Sequence, residues 1–181
     1  MTMYLFVLFS FIGWLYEVGL AFLYGFGFVN RGFLFGPYLP IYGFGGLILV
    51  VSLAGVMKKP RCWGRVPMTP FLVFLLIVLI TTVLEYAASA GLEFIFHKRW
   101  WDYSHYAFNL NGRVCLSASL RFGLGGMVFV YVLAPLIKRL AGKIPENIRN
   151  RGALLILGLL LLDFICTMCI PGSIVGTMLP M

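Results

Sequence analysis

Five ionisable side chains, Glu17, Glu85, Glu93, Asp163 and Arg121, fall inside stretches that are otherwise almost continuously apolar. A charge at the centre of a bilayer costs roughly 2.5 kcal/mol or more even on lenient insertion scales, so such residues pair with one another and mark a pathway or binding site. Spacing sharpens this. Glu85, Ser89 and Glu93 recur at four-residue steps, as do Arg113, Ser117 and Arg121, which puts each trio on one face of a helix. If the two helices run antiparallel, Glu93 meets Arg113 near one membrane surface and Glu85 meets Arg121 about 12 Å deeper. Mutual neutralisation would be a bland role for these pairs. An apolar pair is often as stable as a buried ionic one, so their cost speaks for function. Glu17 leaves the acids in excess of the bases, and an extra carboxylate there suits a proton, a cation or an amine. Asp163 stands alone in its stretch and serves equally well as a packing hydrogen-bond group when protonated.

The chain that must position these residues reads as a membrane protein. It is 61% hydrophobic and 11% charged, with a mean hydropathy of +0.98. A soluble domain carries about 25% charged residues. Over 181 residues this predicts an all-α fold, one polytopic membrane helix bundle with five transmembrane helices, in a single transmembrane domain over residues 1–181. The apolar runs fall at 3–26, 38–57, 69–96, 114–140 and 152–170. Each can cross a hydrocarbon core of roughly 30 Å at about 1.5 Å per residue. The net charge of +8 does not point to nucleic acid, because the basic residues cluster in short loops. Lys58, Lys59, Arg61 and Arg65 occupy one loop, and Lys138, Arg139, Lys143, Arg149 and Arg151 another, nine of the fourteen in all. Both loops lie on one side of a five-span protein, so they should be cytoplasmic. That makes a multi-pass cell-membrane protein with its amino terminus inside and its carboxyl terminus outside. No cleavable signal peptide is expected, since bulky residues and Glu17 stand where a small-residue cleavage site would lie.

The loops 27–37 and 97–113 then face outward, and they carry the unusual sequence. The first holds glycines and Pro37, with Pro40 just beyond, which forbid a regular helix entry. Backbone broken near membrane depth needs partners in protein or water, so it tends to line a cavity. The second holds Trp100, Trp101, Asp102 and Tyr103, then Asn109, Asn111, Gly112 and Arg113. The aromatic residues suit an anchoring role at the membrane interface, whereas Asp102 between two of them does not. Together these features predict a polar pocket open to the outside, lined by Glu17, Asn30, Arg31, Glu85, Glu93, Asp102, Asn109, Asn111, Arg113 and Arg121. Arginine would hold a carboxylate or phosphate by its planar fork, and a carboxylate an amine or proton. Residues 44–50 also resemble residues 124–130, each following a loop with Asn, Gly and Arg and a span bearing glutamate. That pattern suggests a parallel two-span repeat, with Arg31 the counterpart of Arg113. Cys166 and Cys169 have CxxC spacing without histidine partners and read as small buried apolar residues. His97 and His105, eight residues apart in one loop, make no metal site, and no cofactor is implied.

Several ordered motifs carry a resemblance. Gly13-Trp14-Leu15-Tyr16-Glu17, Asn30-Arg31-Gly32-Phe33-Leu34 with Gly36-Pro37 and Pro40-Ile41-Tyr42-Gly43, then Trp100-Trp101-Asp102-Tyr103-Ser104 and Asn109-Leu110-Asn111-Gly112-Arg113, resemble the ABC-transporter type IV family, or CmpB, formerly a domain of unknown function. The resemblance runs through the fourth span and implies a polytopic permease-like protein, without residue roles. No Gly-x-x-x-x-Gly-Lys-Ser/Thr loop occurs, so an ATPase would be a separate subunit, and the cytoplasmic loop 138–151 is where it would dock. The basic residues there would in any case attract anionic membrane lipids. Three readings of different class stand: a permease or substrate-binding transporter subunit taking a small polar solute or lipid headgroup; a membrane enzyme acting on envelope lipids at the outer leaflet with Glu93, Asp102, His97 or His105 as acid or base; and a structural or assembly factor. The oligomeric state is not legible.

Overall fold

Glycine, proline and one left-handed histidine mark where the apolar runs stop being helical. The structure, a computed structural model, describes residues 1–30, 32, 34–59, 61–63, 66–97 and 99–169. Its helices are α1 Thr2–Leu23, α2 Pro40–Lys58, α3 Thr69–Phe96, α4 Leu116–Val128, α5 Ala134–Gly142 and α6 Glu146–Cys169. A π turn, Phe129–Leu133, joins α4 to α5, and together they make the span Leu116–Gly142. The described residues therefore hold five helices long and apolar enough to cross a membrane, as expected. The π turn has a local cause. Pro135 has no N–H to give the carbonyl four residues back, and a wider turn beside it spares the ring a clash with that carbonyl. The last helix starts at Glu146, earlier than hydropathy alone suggests, because its charged first turn is helical too. There Arg149 Nη1 donates to the carbonyls of Ala141, in the last turn of α5, and of Ile144 just beyond it.

The described residues divide into two units, one holding Met1–Leu47 and residues 137–169, the other Ile48–Leu136. In the first, α1 packs on α6. α1 ends in a two-bond glycine cap: Gly25 has φ +82, its N–H meets the carbonyl of Phe22, and the N–H of Phe26 meets that of Ala21. The start of α2 lies close on α1, where a Cβ at Gly13 would strike the Tyr42 ring and one at Gly43 would strike Phe6 and Ser10. In the second unit, Leu49, Leu53, Val73, Ile77 and Val130 form a core, and α3 packs along α4. Gly123 allows the approach of Phe74 and Val78, and Gly126 that of Ile77. Thr82 and Ser119 share a hydrogen bond of 2.7 Å between these two helices.

Two short antiparallel hairpins complete the second unit. β1 Cys62–Trp63 pairs with β2 Val66–Pro67, and β3 Asn109–Leu110 with β4 Val114–Cys115, in the register Asn109 to Cys115 and Leu110 to Val114. The turn of the second hairpin follows from Asn111-Gly112. Both residues have positive φ, 54° and 66°, and the N–H of Arg113 closes on the carbonyl of Leu110 at 3.0 Å, which is a type I′ turn.

Candidate functional site

The segment 99–115 is folded onto the last turns of α3, where Glu85, Tyr86, Ser89 and Glu93 receive it. His97, in left-handed backbone with φ 53°, ends α3 and turns the chain back. Arg99 then reaches Glu93, with Nε 3.0 Å from Oε2, and Arg113 Nη1 reaches the same oxygen at 2.7 Å. Arg113 Nη1 also donates to the Ser89 hydroxyl at 3.3 Å. One turn deeper, the hydroxyl of the fully buried Tyr103 donates to Glu85 Oε1 at 2.9 Å. Glu85, Ser89 and Glu93 thus do share one face, and that face faces the incoming segment. Arg121 lies on α4 with its Nε on the carbonyl of Ser117, one turn back in its own helix.

Further contacts fix the two guanidinium groups. Arg99 Nη1 donates to the carbonyl of Asn111 at 3.3 Å, the Asn111 amide donates to the Tyr86 hydroxyl at 2.9 Å, and the Arg113 guanidinium stands 5.7 Å from the centre of the Tyr86 ring. Trp101 donates from its indole to the carbonyl of Arg113 at 2.9 Å. Asn109 works inside the hairpin, giving its amide to the carbonyls of Tyr106 and Ser104 and accepting the N–H of Gly112. Asp102 accepts the Ser104 hydroxyl and N–H. Those two bonds, then the charges of Arg99 and His105, hold its carboxyl below the usual carboxylate range.

Glu17, Asn30 and Arg31 belong to the first unit. Arg31 lies outside the described residues. Glu17 accepts the hydroxyl of Tyr42. The Asn30 side chain is engaged on all sides: Oδ1 accepts the Trp14 indole and the N–H of Gly32, and Nδ2 donates to the carbonyls of Leu34 and Phe35. Asp163, expected to stand alone, clasps the broken loop by accepting the N–H of Gly36 at 2.8 Å and of Phe35 at 3.2 Å. Beside it, burial and then the charge of Asp163 push the Tyr38 hydroxyl above its ordinary pKa.

Sequence reasoning passed over Arg99, Tyr86 and the clasp at Asp163. Tyr86 carried a usable signal, since 86, 89 and 93 share a helical face. Arg99 carried none, because only the left-handed turn at His97 brings it back to Glu93.

Among the described residues, five helices long and apolar enough to cross a membrane define a multi-pass α-helical membrane protein. The chain belongs to the family described as "Putative ABC-transporter type IV", whose model matches residues 4–168. No curated protein and no solved structure matches it.

Proposed function

We propose that this protein is the membrane-embedded, permease-like subunit of a transport system, and that the end of α3 with segment 97–113 forms its outward-facing site for a small polar solute or lipid headgroup. The observation that carries this reading is the single Glu93 oxygen that receives both Arg99 and Arg113. Partly exposed ion pairs of this kind add only about 0–1 kcal/mol of stability, so stabilisation is a weak reason for building one. Ser89, Tyr86 and Asn111 hold the guanidinium groups in fixed directions, which is what recognition needs. Glu85 with Tyr103, one turn below Ser89, supports the same site. The basic turns 58–67 and 138–151 lie in the cytoplasm, with the amino terminus inside and the carboxyl terminus outside. A separate ATPase subunit, in keeping with the family description, docks at the basic turn 138–151.

A thermal-shift panel tests the reading. The purified chain in detergent is heated with amino acids, quaternary amines, sugar phosphates and glycerophosphodiesters, each at a concentration well above its expected Kd. A bound solute at a hundredfold excess over Kd stabilises by about 2.7 kcal/mol. At least one solute class should raise Tm in the native chain and fail to do so in Arg113→Ala. A panel without a single shift overturns the reading.

A further inference from the structure

The contact at Glu93 is unbalanced. One carboxylate oxygen takes two guanidinium groups, so two positive charges are held together by one negative charge in direct contact with both. The other acid of the segment, Asp102, is turned to the Ser104 hydroxyl and N–H. Arg99 spends Nε and Nη1 on Glu93 and the Asn111 carbonyl, and Arg113 spends Nη1 on Glu93 and Ser89. Among the described residues Nη2 of each arginine has no hydrogen-bond partner within the chain. A guanidinium has five N–H donors in a rigid fork, so each retains donors beside those of the other.

We infer that Arg99 and Arg113 together bind the phosphate of a phosphodiester, either a lipid headgroup or a soluble glycerophosphodiester. The inference rests on the outward-facing site proposed above and names its ligand class. A phosphodiester carries a single negative charge, which two guanidinium groups gathered on one carboxylate oxygen attract. Its two free oxygens point in different directions, so each can meet a different guanidinium, whereas a compact ammonium would be repelled. Arginine is the side chain suited to this planar, two-point recognition. The surroundings favour a lipid. Trp100 packs edge-on against Phe96 at 5.4 Å, and tryptophan concentrates at the membrane–water interface.

The test compares dihexanoyl phosphatidylglycerol, dihexanoyl glycerol without phosphate, glycerophosphoglycerol and glycine as probes, with Tm and native mass spectrometry of the detergent-solubilised chain as readouts. The native chain should retain the phosphatidylglycerol and gain Tm, the phosphate-free lipid should do neither, and Arg99→Gln and Arg113→Gln should each weaken retention about tenfold or more, as loss of a charge-assisted bond does. Arg113→Lys, which keeps the charge but loses the fork, should fall between. Binding of glycerophosphoglycerol as well assigns the phosphate as sufficient, and its failure beside a bound lipid assigns the source as the membrane. Should Arg113→Gln not fold, the more exposed Arg99→Gln decides alone. Equal retention of the lipids with and without phosphate, or retention unaffected by both arginine variants, overturns the inference. A Tm shift with glycine but with neither phosphodiester overturns it too, while leaving the broader solute-binding reading in place.

Discussion

Asp102 illustrates how much a single exposed residue can organise without burying anything. Its carboxylate takes the hydroxyl and N–H of Ser104, with Arg99 and His105 nearby, and its charged form is favoured for those reasons in that order. The sign of the pH effect follows. A carboxyl whose folded value is depressed contributes stability above the ordinary carboxylate range and loses it as pH falls through the folded value. Carbon-13 titration of Asp102 should give a midpoint below that of an unfolded peptide, and Ser104→Ala should raise it; an unmoved midpoint would show that the serine is not the cause. Asn30 is the opposite case, a residue whose side-chain polar atoms are all committed, to its own loop and to Trp14 of α1. At about 1 kcal/mol per hydrogen bond, Asn30→Ala should cost about 2–4 kcal/mol, seen as a large drop in Tm. Asn30→Asp should not rescue it, since a carboxylate would face the carbonyls of Leu34 and Phe35. A mild phenotype in both would mean that the loop finds other partners.

At the scale of elements, two devices hold irregular segments against helices. Asp163 on α6 clasps the N–H groups of Phe35 and Gly36. Hydrogen bonds to a charged acceptor are worth roughly 1.5–3 kcal/mol, so Asp163→Ala should open the loop 24–39 to protease well below the unfolding temperature. Tyr38 should then titrate lower, though only part of the way, because burial rather than Asp163 is the larger cause of its raised value. Close glycine crossings are the second device, and they recur. One shift along the chain carries Phe6, Leu8, Ile12 and Glu17 of α1 onto Phe74, Leu76, Ile80 and Glu85 of α3, and another carries Gly43 onto Gly123. In each unit the glycine meets the corresponding pair, Phe6 and Ser10 or Phe74 and Val78. The two crossings therefore share one spacing of glycine against its neighbours. Alanine normally favours a helix over glycine by up to about 1 kcal/mol. Gly125→Ala, where the added methyl meets nothing, should therefore stabilise, whereas Gly43→Ala and Gly123→Ala should destabilise. Equal behaviour of the three would remove the crossing argument.

For the molecule as a whole, the spans and the pairing of Glu93 with Arg113 were legible, because hydropathy and a four-residue period depend on local sequence alone. The clasp of Asp163 on residues 35 and 36 and the return of Arg99 were not. The first joins positions far apart in the chain, and the second hangs on one left-handed residue, His97. Orientation is argued from charge. Nine of the fourteen basic residues lie in two turns, 58–67 and 138–151. Short loops rich in Lys and Arg are retained in the cytoplasm, so carrying either across would oppose the bias that sets topology. Cysteine chemistry can decide this. Cys62 is exposed in the first basic turn, whereas Cys115 is buried. In a background with Cys166→Ser and Cys169→Ser, an impermeant maleimide should leave Cys62 unlabelled in intact cells and label it once the membrane is opened. Ser104→Cys, in the segment that carries Arg99 and Arg113, should label in both. Labelling of Cys62 in intact cells would invert the molecule, and the arginine pair would then face the cytoplasm, where a phosphodiester headgroup would have to come from the inner leaflet.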